Sequence, residues 1–412
     1  MTRDTVTGIA EDPPDAGLGR RFRVAWGFLL VSVLIGLGLR LEWVRPWTTL
    51  DYNNLLHAHS HVAFLGWVFN AFFVAALRHF VPAAETRSYD RIWWTMQLGV
   101  AGMLVTFPFQ GYAPASIAFS TIHMAAAFVF AARLWRRNGA SPAARLHLRL
   151  ALGFMLLSGT GPLALGVLPA LGLRESSAFT LAIYFYLHCQ FNGWFSFFLQ
   201  ALLLQRAHEE RWPVDPAQAA RAGWWLAVGG LLVFALSTLW AQPPAGTVWI
   251  ARAGGIIQAF GALGLLGAVR RVPWPVDRTV RVLAAVAVGA WLLKHGLHLA
   301  GSWPGLAALA EQRFVAIAFL HLIFLGFVTP ALLVWAHSQG WLPHGVRLGA
   351  GVAMLLAGTA TSEVLLAGPA VLSLAGGWTW SWSLPLPLFV ASALLVAGVA
   401  CLWPSGRKTP GA

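Results

Sequence analysis

The chain has 412 residues, of which 58% are hydrophobic and only 10% charged, and its mean hydropathy is +0.66. Such a composition excludes a soluble globular protein and predicts an integral membrane protein. The two cysteines exclude a disulfide framework. A formal net charge of +13 is compatible with nucleic-acid binding, so the placement of the basic residues has to decide on that function.

Twelve apolar stretches of roughly 20 residues, bounded by charge, Pro or Gly, predict an all-α protein with twelve transmembrane helices. Residues 1–21 form a polar tail without a signal-peptide cleavage site, residues 22–403 the transmembrane domain, and residues 404–412 a second tail. A WTWSW cluster at 378–382 is typical of an interface anchor. The predicted spans cover residues 22–40, 55–78, 92–112, 115–135, 148–172, 177–204, 221–241, 247–269, 279–300, 314–337, 347–368 and 382–403.

The basic residues are distributed unevenly between the two sides of the predicted membrane domain. On the side of the N-terminus lie 22 of the 28 Lys and Arg residues, whereas the opposite loops hold little beyond Arg40, Arg45, Arg174 and Arg313. This asymmetry obeys the positive-inside rule, so both termini should be cytoplasmic. We expect the membrane to be a bacterial-type inner (plasma) membrane. The positive charge is therefore explained by the orientation of the chain in the membrane and does not indicate a nucleic-acid-binding surface.

Three of the predicted spans share the pattern H-x-x-F-x-G-[WF]. The copies begin at His61, His188 and His321, which are 127 and 133 residues apart and separated by four spans. This repeat predicts three pseudo-threefold sets, or arcs, of four helices. On an α-helix, each Phe would lie near the face of its His, and each Gly would admit a neighbouring helix. The alternative is a packing motif around three hydrogen-bonded core histidines. The Phe residues are Phe64, Phe191 and Phe324, and the Gly residues are Gly66, Gly193 and Gly326.

The sequence also predicts a layer of histidines in the outer half of the membrane, where ionisable residues are costly and usually functional. It comprises His57, His59, His61, His123, His188, His295, His298 and His321. The other five histidines are predicted to be solvated near the cytoplasmic ends. These are His79, His147, His208, His337 and His344.

Imidazole is the preferred protein ligand of haem iron, copper and zinc, so the layer predicts a haem or metal site. Two histidines that ligate one haem must face each other at equal depth. His321 meets this condition with either His59 or His61. A flanking aromatic ring suits a flat macrocycle, which adds Phe64 and Phe324 to the predicted haem site.

A second group is predicted around the ninth span. His295 and His298 have the i, i+3 spacing of a metal pair, which His188 could join. Lys294 either extends its ammonium group to the interface or pairs with an anion such as a haem propionate. Glu363 is the one carboxylate deep in a span, and a proton-relay role is the alternative to a structural one. No H-E-x-x-H motif supports zinc hydrolysis.

The sequence resembles the catalytic subunit I of the haem-copper oxidase superfamily, most closely its cytochrome cbb-type branch. The resemblance lies in three stretches, LHAHSHVAFLGWVFNAFF, FYLHCQFNGWFSFFL and LHLIFLGFV, on the second, sixth and tenth spans. It implies a low-spin haem held by His321 and by His59, whose spacing of eleven to Asn70 is that of the family. The internal repeat favours His61 instead. The resemblance also implies that His188 is a copper ligand.

Two departures from the family bear on activity. The family's ligand to the catalytic haem falls on Phe319, and Phe cannot ligate iron. The family's copper-binding His-His pair falls on the stretch 221–241, which contains no histidine. Either the site has been rebuilt, with His295 and His298 as copper ligands and His61 or His123 contributing, or the chain keeps only a low-spin haem.

The predicted function is therefore that of a membrane haem protein, b-type and with or without copper, in electron transfer. The resemblance implies an oxidoreductase that takes electrons from a quinol or cytochrome and passes them to oxygen, nitric oxide or another small acceptor. The alternative is a non-catalytic protein: a haem-based sensor, or a transporter or channel whose histidine layer binds a metal or protons.

Overall fold

The computed structural model describes residues 14–137, 139–310, 312–374 and 384–405. These residues form helices and connecting turns, with no β-strand among them. Within them, ten helices, all those given below except α6 and α12, are long and apolar enough to cross a membrane, as expected of a helical multi-pass membrane protein. In chain order the helices are α1 (Pro14–Val44), α2 (Tyr52–Phe80), α3 (Ala83–Gln110), α4 (Pro114–Trp135), α5 (Pro142–Ala170), α6 (177–209), α7 (Pro216–Ala241), α8 (Gly246–Val269), α9 (Arg278–Ala300), α10 (Arg313–Ser338), α11 (Gly345–Leu374) and α12 (Pro385–Cys401), with a short helix, Pro304–Ala310, before α10.

Nine of the predicted spans lie within one of these helices, whereas the spans 92–112 and 148–172 run two residues past the ends of α3 and α5. The span 382–403 begins outside the described residues and runs past the end of α12. The first helix already begins at Pro14, inside the predicted tail. The WTWSW cluster, residues 1–13 and residues 406–412 lie outside the described residues.

Local signals in the sequence set several helix starts. The side chain of Asp51 accepts hydrogen bonds from the backbone N–H groups of Asn53 and Asn54, which caps α2. Asp277 caps α9 in the same way. Proline occupies the first turn of α4, α5, α7 and α12, where its missing N–H costs no helical hydrogen bond. Asp and Pro residues therefore mark where six of these helices begin.

Each copy of the repeated motif changes its helix type directly after the histidine. The segments Val62–Phe69, Cys189–Phe195 and Leu322–Val328 are π-helical, whereas the residues on both sides are α-helical. A π-helix has a wider turn, with i to i+5 hydrogen bonds, so a residue three positions on is rotated away from its α-helical direction. The motif is therefore repeated in structure as well as in sequence.

This rotation brings the three motif phenylalanines together in the middle of the bundle. The ring of Phe64 lies 4.4 Å from that of Phe324 and 5.5 Å from that of Phe191. The rings of Phe191 and Phe324 are 5.8 Å apart. Among the described ring contacts, no motif Phe pairs with the His of its own motif, so the prediction of a shared face is wrong. The predicted shared face requires an α-helical period, and these segments are π-helical.

The predicted role of the motif glycines is confirmed. A Cβ on Gly66 would lie 2.8 Å from Phe28 of α1, and one on Gly193 would lie 2.1 Å from Phe154 of α5. At Gly326 the nearest atom, at 3.2 Å, belongs to Ala290 of α9. Each motif glycine thus lets the preceding long helix pack close to its motif helix, as small residues do in membrane bundles.

Candidate functional site

The structure divides the predicted histidine layer into three separate groups. They are the His59/His321 pair (His59 and His321 with Ser32 and Arg40), the Lys294 cluster (His188, Asn192, Ser196, Gln258, Lys294, His295 and His298), and the Tyr112 group (His57, His61, Tyr112 and His123).

His59 and His321 come from α2 and α10 and lie within electrostatic range of each other. The Nδ1–H of His59 donates to the carbonyl oxygen of Ser32 on α1, at 2.9 Å. A carbonyl can only accept, so the lone pair of this neutral imidazole is on Nε2, the nitrogen that usually binds metal. The His59 ring is held against Gly36, whose Cβ would lie 3.0 Å from the Cε1 atom of His59. His59 is therefore oriented as a preformed ligand.

The rest of this site contains an imidazole nitrogen without a partner and a buried arginine. Nδ1 of His321 is buried and has no hydrogen-bond partner among the described residues. Arg40, near the end of α1, is 7% exposed and acts electrostatically on both histidines. Its guanidinium group lies 4.5 Å from the ring centre of Trp43. A buried cation beside two neutral imidazoles favours a bound group that carries negative charge.

In the Lys294 cluster, a lysine is buried in the bundle at 1% exposure. Its Nζ donates to Oδ1 of Asn192 and to Oγ of Ser196, both at 3.0 Å. The predicted extension of Lys294 to the interface is thus wrong, because its ammonium group is held by α6. The amide of Asn192 in turn donates to Nδ1 of His188 at 3.3 Å.

Both ring nitrogens of His188 are engaged. Nε2 lies 2.7 Å from the carbonyl oxygen of Gly230 on α7, so it carries the proton, and Nδ1 accepts from Asn192. The other two histidines of the cluster, His295 and His298, both point Nδ1 at Oε1 of Gln258, at 3.4 and 2.9 Å. In the described part of the chain, no three side chains of the His, Cys, Asp or Glu type are gathered as ligands of one metal ion.

The position that the family resemblance gives to the catalytic-haem ligand faces this cluster. The ring of Phe319 lies 5.7 Å from that of His298. On α7, where the family carries its histidine pair, Gly230 offers a backbone carbonyl and Phe234 packs on His188 at 5.4 Å. Apolar and backbone groups thus occupy both places that the family fills with ligands.

His61 belongs to the third group, and its described side-chain contacts do not include His321. Its Nδ1–H donates to the carbonyl oxygen of His57 at 2.9 Å, and its Nε2 lies 3.4 Å from the hydroxyl of Tyr112. The ring packs on Phe107 at 4.4 Å. His123 lies within electrostatic range of His61, and its buried Nε2 has no described partner.

Two of the histidines that were expected to be solvated are buried instead. His147 is 0% exposed, and its nitrogens are bonded to Oε1 of Gln200 at 2.9 Å and to the carbonyl oxygen of Ala219 at 3.0 Å. His79 accepts a hydrogen bond from Trp335 and donates one to Glu209, each within 2.9 Å. The neighbouring Arg and Glu residues favour exposure, but these imidazoles form hydrogen bonds between helices. Cys189 is a free, buried cysteine, and Oε1 of Glu363 is buried without a described partner.

Several residues that shape these groups were missed in the sequence. Arg40 could have been found from the sequence, because it ends an apolar span. An ionisable residue at such a position, like Lys294, is a candidate for a functional site. Ser32, Gln258 and Asn192 are polar residues within spans, which also mark interhelical contacts. No protein-family model matches this chain, and no curated protein matches it either.

Proposed function

We propose that the protein is a multi-pass membrane haem protein of the haem-copper oxidase subunit I type, in which His59 and His321 hold one b-type haem. The observation that carries this proposal is that His59 of α2 and His321 of α10 lie within electrostatic range of each other, with the Nδ1–H of His59 anchored on a backbone carbonyl. A carbonyl partner of this kind fixes the tautomer and orientation of metal-bound histidines. When bound, haem supplies reversible one-electron chemistry.

The surroundings of the pair fit a haem. Nδ1 of His321 is buried without a described partner, so this ring lacks the hydrogen bond that orients His59. Arg40 provides the buried positive charge for a propionate, the role that the sequence had suggested for Lys294. Phe64 and Phe324, which the sequence adds to the haem site, lie against each other at 4.4 Å, and no described ring contact joins either of them to His59 or His321. His59, in place of His61, is thus the proposed partner of His321.

For the fold, we propose twelve spans in three four-helix arcs, with both termini cytoplasmic in a bacterial-type inner membrane. Equivalent contacts in the three sets support the arcs. A Cβ on Gly99 of α3 would meet His123 of α4, one on Gly229 of α7 would meet Gln258 of α8, and one on Gly358 of α11 would meet Leu395 of α12. The π-helical segments and the motif glycines repeat with the same period.

A three-histidine copper centre does not fit the described side chains. His188 uses both ring nitrogens within the protein, and His295 and His298 alone remain as donors of the expected set. The proposed activity is therefore electron transfer through a low-spin haem. Its donor would be a quinol or cytochrome, and its acceptor a small molecule such as oxygen or nitric oxide.

The experiment is an optical spectrum of the purified full chain in detergent, oxidised and reduced, with metal analysis. We expect a reduced spectrum with a sharp α-band and one haem per chain. His59→Ala should abolish this spectrum, whereas the matched control His61→Ala, two residues away on the same helix, should retain it. A colourless protein would overturn the proposal and favour the transporter alternative. Loss of haem in His61→Ala but not in His59→Ala would show that the axial ligand is His61, in the Tyr112 group.

A further inference from the structure

A surface groove between α7 and α8 is not used by the proposed haem site. It has a volume of about 380 Å³ and lies toward the end of the bundle where α7 begins and α8 ends, here called the basic end. No carboxylate lines it. Its lining consists of Gln218, Arg221, Ala222, Trp225, Phe260 and Gly264.

Polarity changes along this groove in a defined direction. Gln218 and Arg221 lie in the first two turns of α7, and Trp225 follows one turn deeper. Because α8 runs the opposite way, Phe260 lies one turn deeper than Gly264. The rings of Trp225 and Phe260, 6.4 Å apart, are both exposed on the outside of the bundle. The groove is thus polar and cationic toward the basic end and aromatic toward the middle of the membrane.

The cation in the groove is not neutralised within the described protein. Arg221 is exposed and forms no hydrogen bond or ion pair with a described residue. Arg270 and Arg271 follow α8 directly and add positive charge at the same end. The floor of the groove is formed by the small residues Gly264 and Ala222, and a Cβ on Gly264 would lie 3.4 Å from that of Ala222. The groove is deep there because neither residue has a long side chain.

We propose that this groove binds an anionic phospholipid, with the headgroup phosphate on Arg221 and Gln218 and an acyl chain along Trp225 and Phe260. A guanidinium group can bind a phosphate with two parallel hydrogen bonds, and the amide of Gln218 can donate a third. Basic pockets between membrane helices are typical sites for anionic headgroups. The site rests on the membrane placement of α7 and α8 and is independent of haem binding.

The test is native mass spectrometry of the delipidated full chain with phosphatidylglycerol or phosphatidylcholine of matched acyl chains. We expect tighter binding of phosphatidylglycerol to at least one site, and Arg221→Gln should weaken that binding by roughly fivefold, the effect of one basic residue near a lipid surface. The matched control is Arg174→Gln, an exposed arginine in the loop between α5 and α6, which should change nothing.

A second variant separates the groove from general surface charge. Gly264→Leu keeps every charge but fills the floor, so it should weaken phosphatidylglycerol binding as well. Equal binding of the two lipids, equal losses in Arg221→Gln and Arg174→Gln, or full binding to Gly264→Leu would each overturn the proposal. Equal competition by free glycerol phosphate would do so too, because it would show that the acyl chain takes no part.

Discussion

The His59/His321 pair and the Lys294 cluster both gather histidines inside the bundle, but their free ring nitrogens are placed differently. At the pair, His59 commits only Nδ1, to a backbone carbonyl, and its neighbour His321 comes from another helix. In the cluster, His188 commits both nitrogens, and His295 and His298, which commit only Nδ1, share one helix and one acceptor, Gln258. The number of histidines therefore does not distinguish the two regions, whereas the helices that carry the free nitrogens do.

The largest expected effect is on haem content, which should depend on the His59/His321 pair and not on the Lys294 cluster. His321→Ala removes one of the two proposed axial ligands, so the reduced low-spin spectrum should be lost and the haem content of the purified protein should fall to near zero. His188→Ala, its repeat equivalent, should keep the full haem content. Haem loss in His188→Ala with an intact spectrum in His321→Ala would reverse the assignment of the two regions.

A substitution in the Lys294 cluster should lower the thermal stability of the protein without changing the haem spectrum. Gln258→Leu leaves the Nδ1–H groups of His295 and His298 buried without an acceptor, at a cost of about 1–2 kcal/mol. The melting temperature in detergent should therefore fall while the haem spectrum is unchanged. Gln312→Leu, at an exposed position before α10, serves as the control and should melt like the parent. A shifted haem spectrum in Gln258→Leu would show that the two regions are one site.

A smaller effect should come from the wall behind His59. Gly36→Ala would place a methyl group 3.0 Å from the His59 ring, which must tilt to make room. We expect haem to be retained with a shifted α-band or altered electron paramagnetic resonance of the oxidised form. Gly27→Ala is the matched control on the same helix, because a Cβ there meets no atom within 4 Å. Identical spectra for both variants would mean that His59 does not hold the haem.

The smallest effect should be on the midpoint potential. Arg40→Gln removes a buried positive charge beside the pair, and a nearby cation stabilises the reduced state, which carries one positive charge fewer. The potential in a redox titration should therefore fall. Arg45→Gln, at an exposed position after α1, should leave it unchanged. A raised potential in Arg40→Gln would place the haem elsewhere.

The sequence predicts the helices well because hydropathy acts over many residues, so local errors average out. It also located the glycine contacts, since a small residue at a fixed place in a repeat has one packing purpose. It failed for Phe64 and its equivalents because the π-helical turn changes the period within the motif itself. The choice between His59 and His61 stayed open for a related reason: it depends on which neighbour each face meets, and Ser32 and Tyr112 are distant in sequence.

The three π-helical segments also have a consequence for chain length. Each one adds a residue to the turn, which sets the angle between the half of the helix that carries the histidine and the half that runs to the opposite end of the bundle. Losing a single residue at Leu65 would restore an α-helical turn and leave the two halves of α2 at nearly the same angle, but it would return the motif of α2 to the α-helical period. Phe64 would then no longer hold its π-helical position beside Phe191 and Phe324, so this deletion should separate the three rings while the helix itself persists.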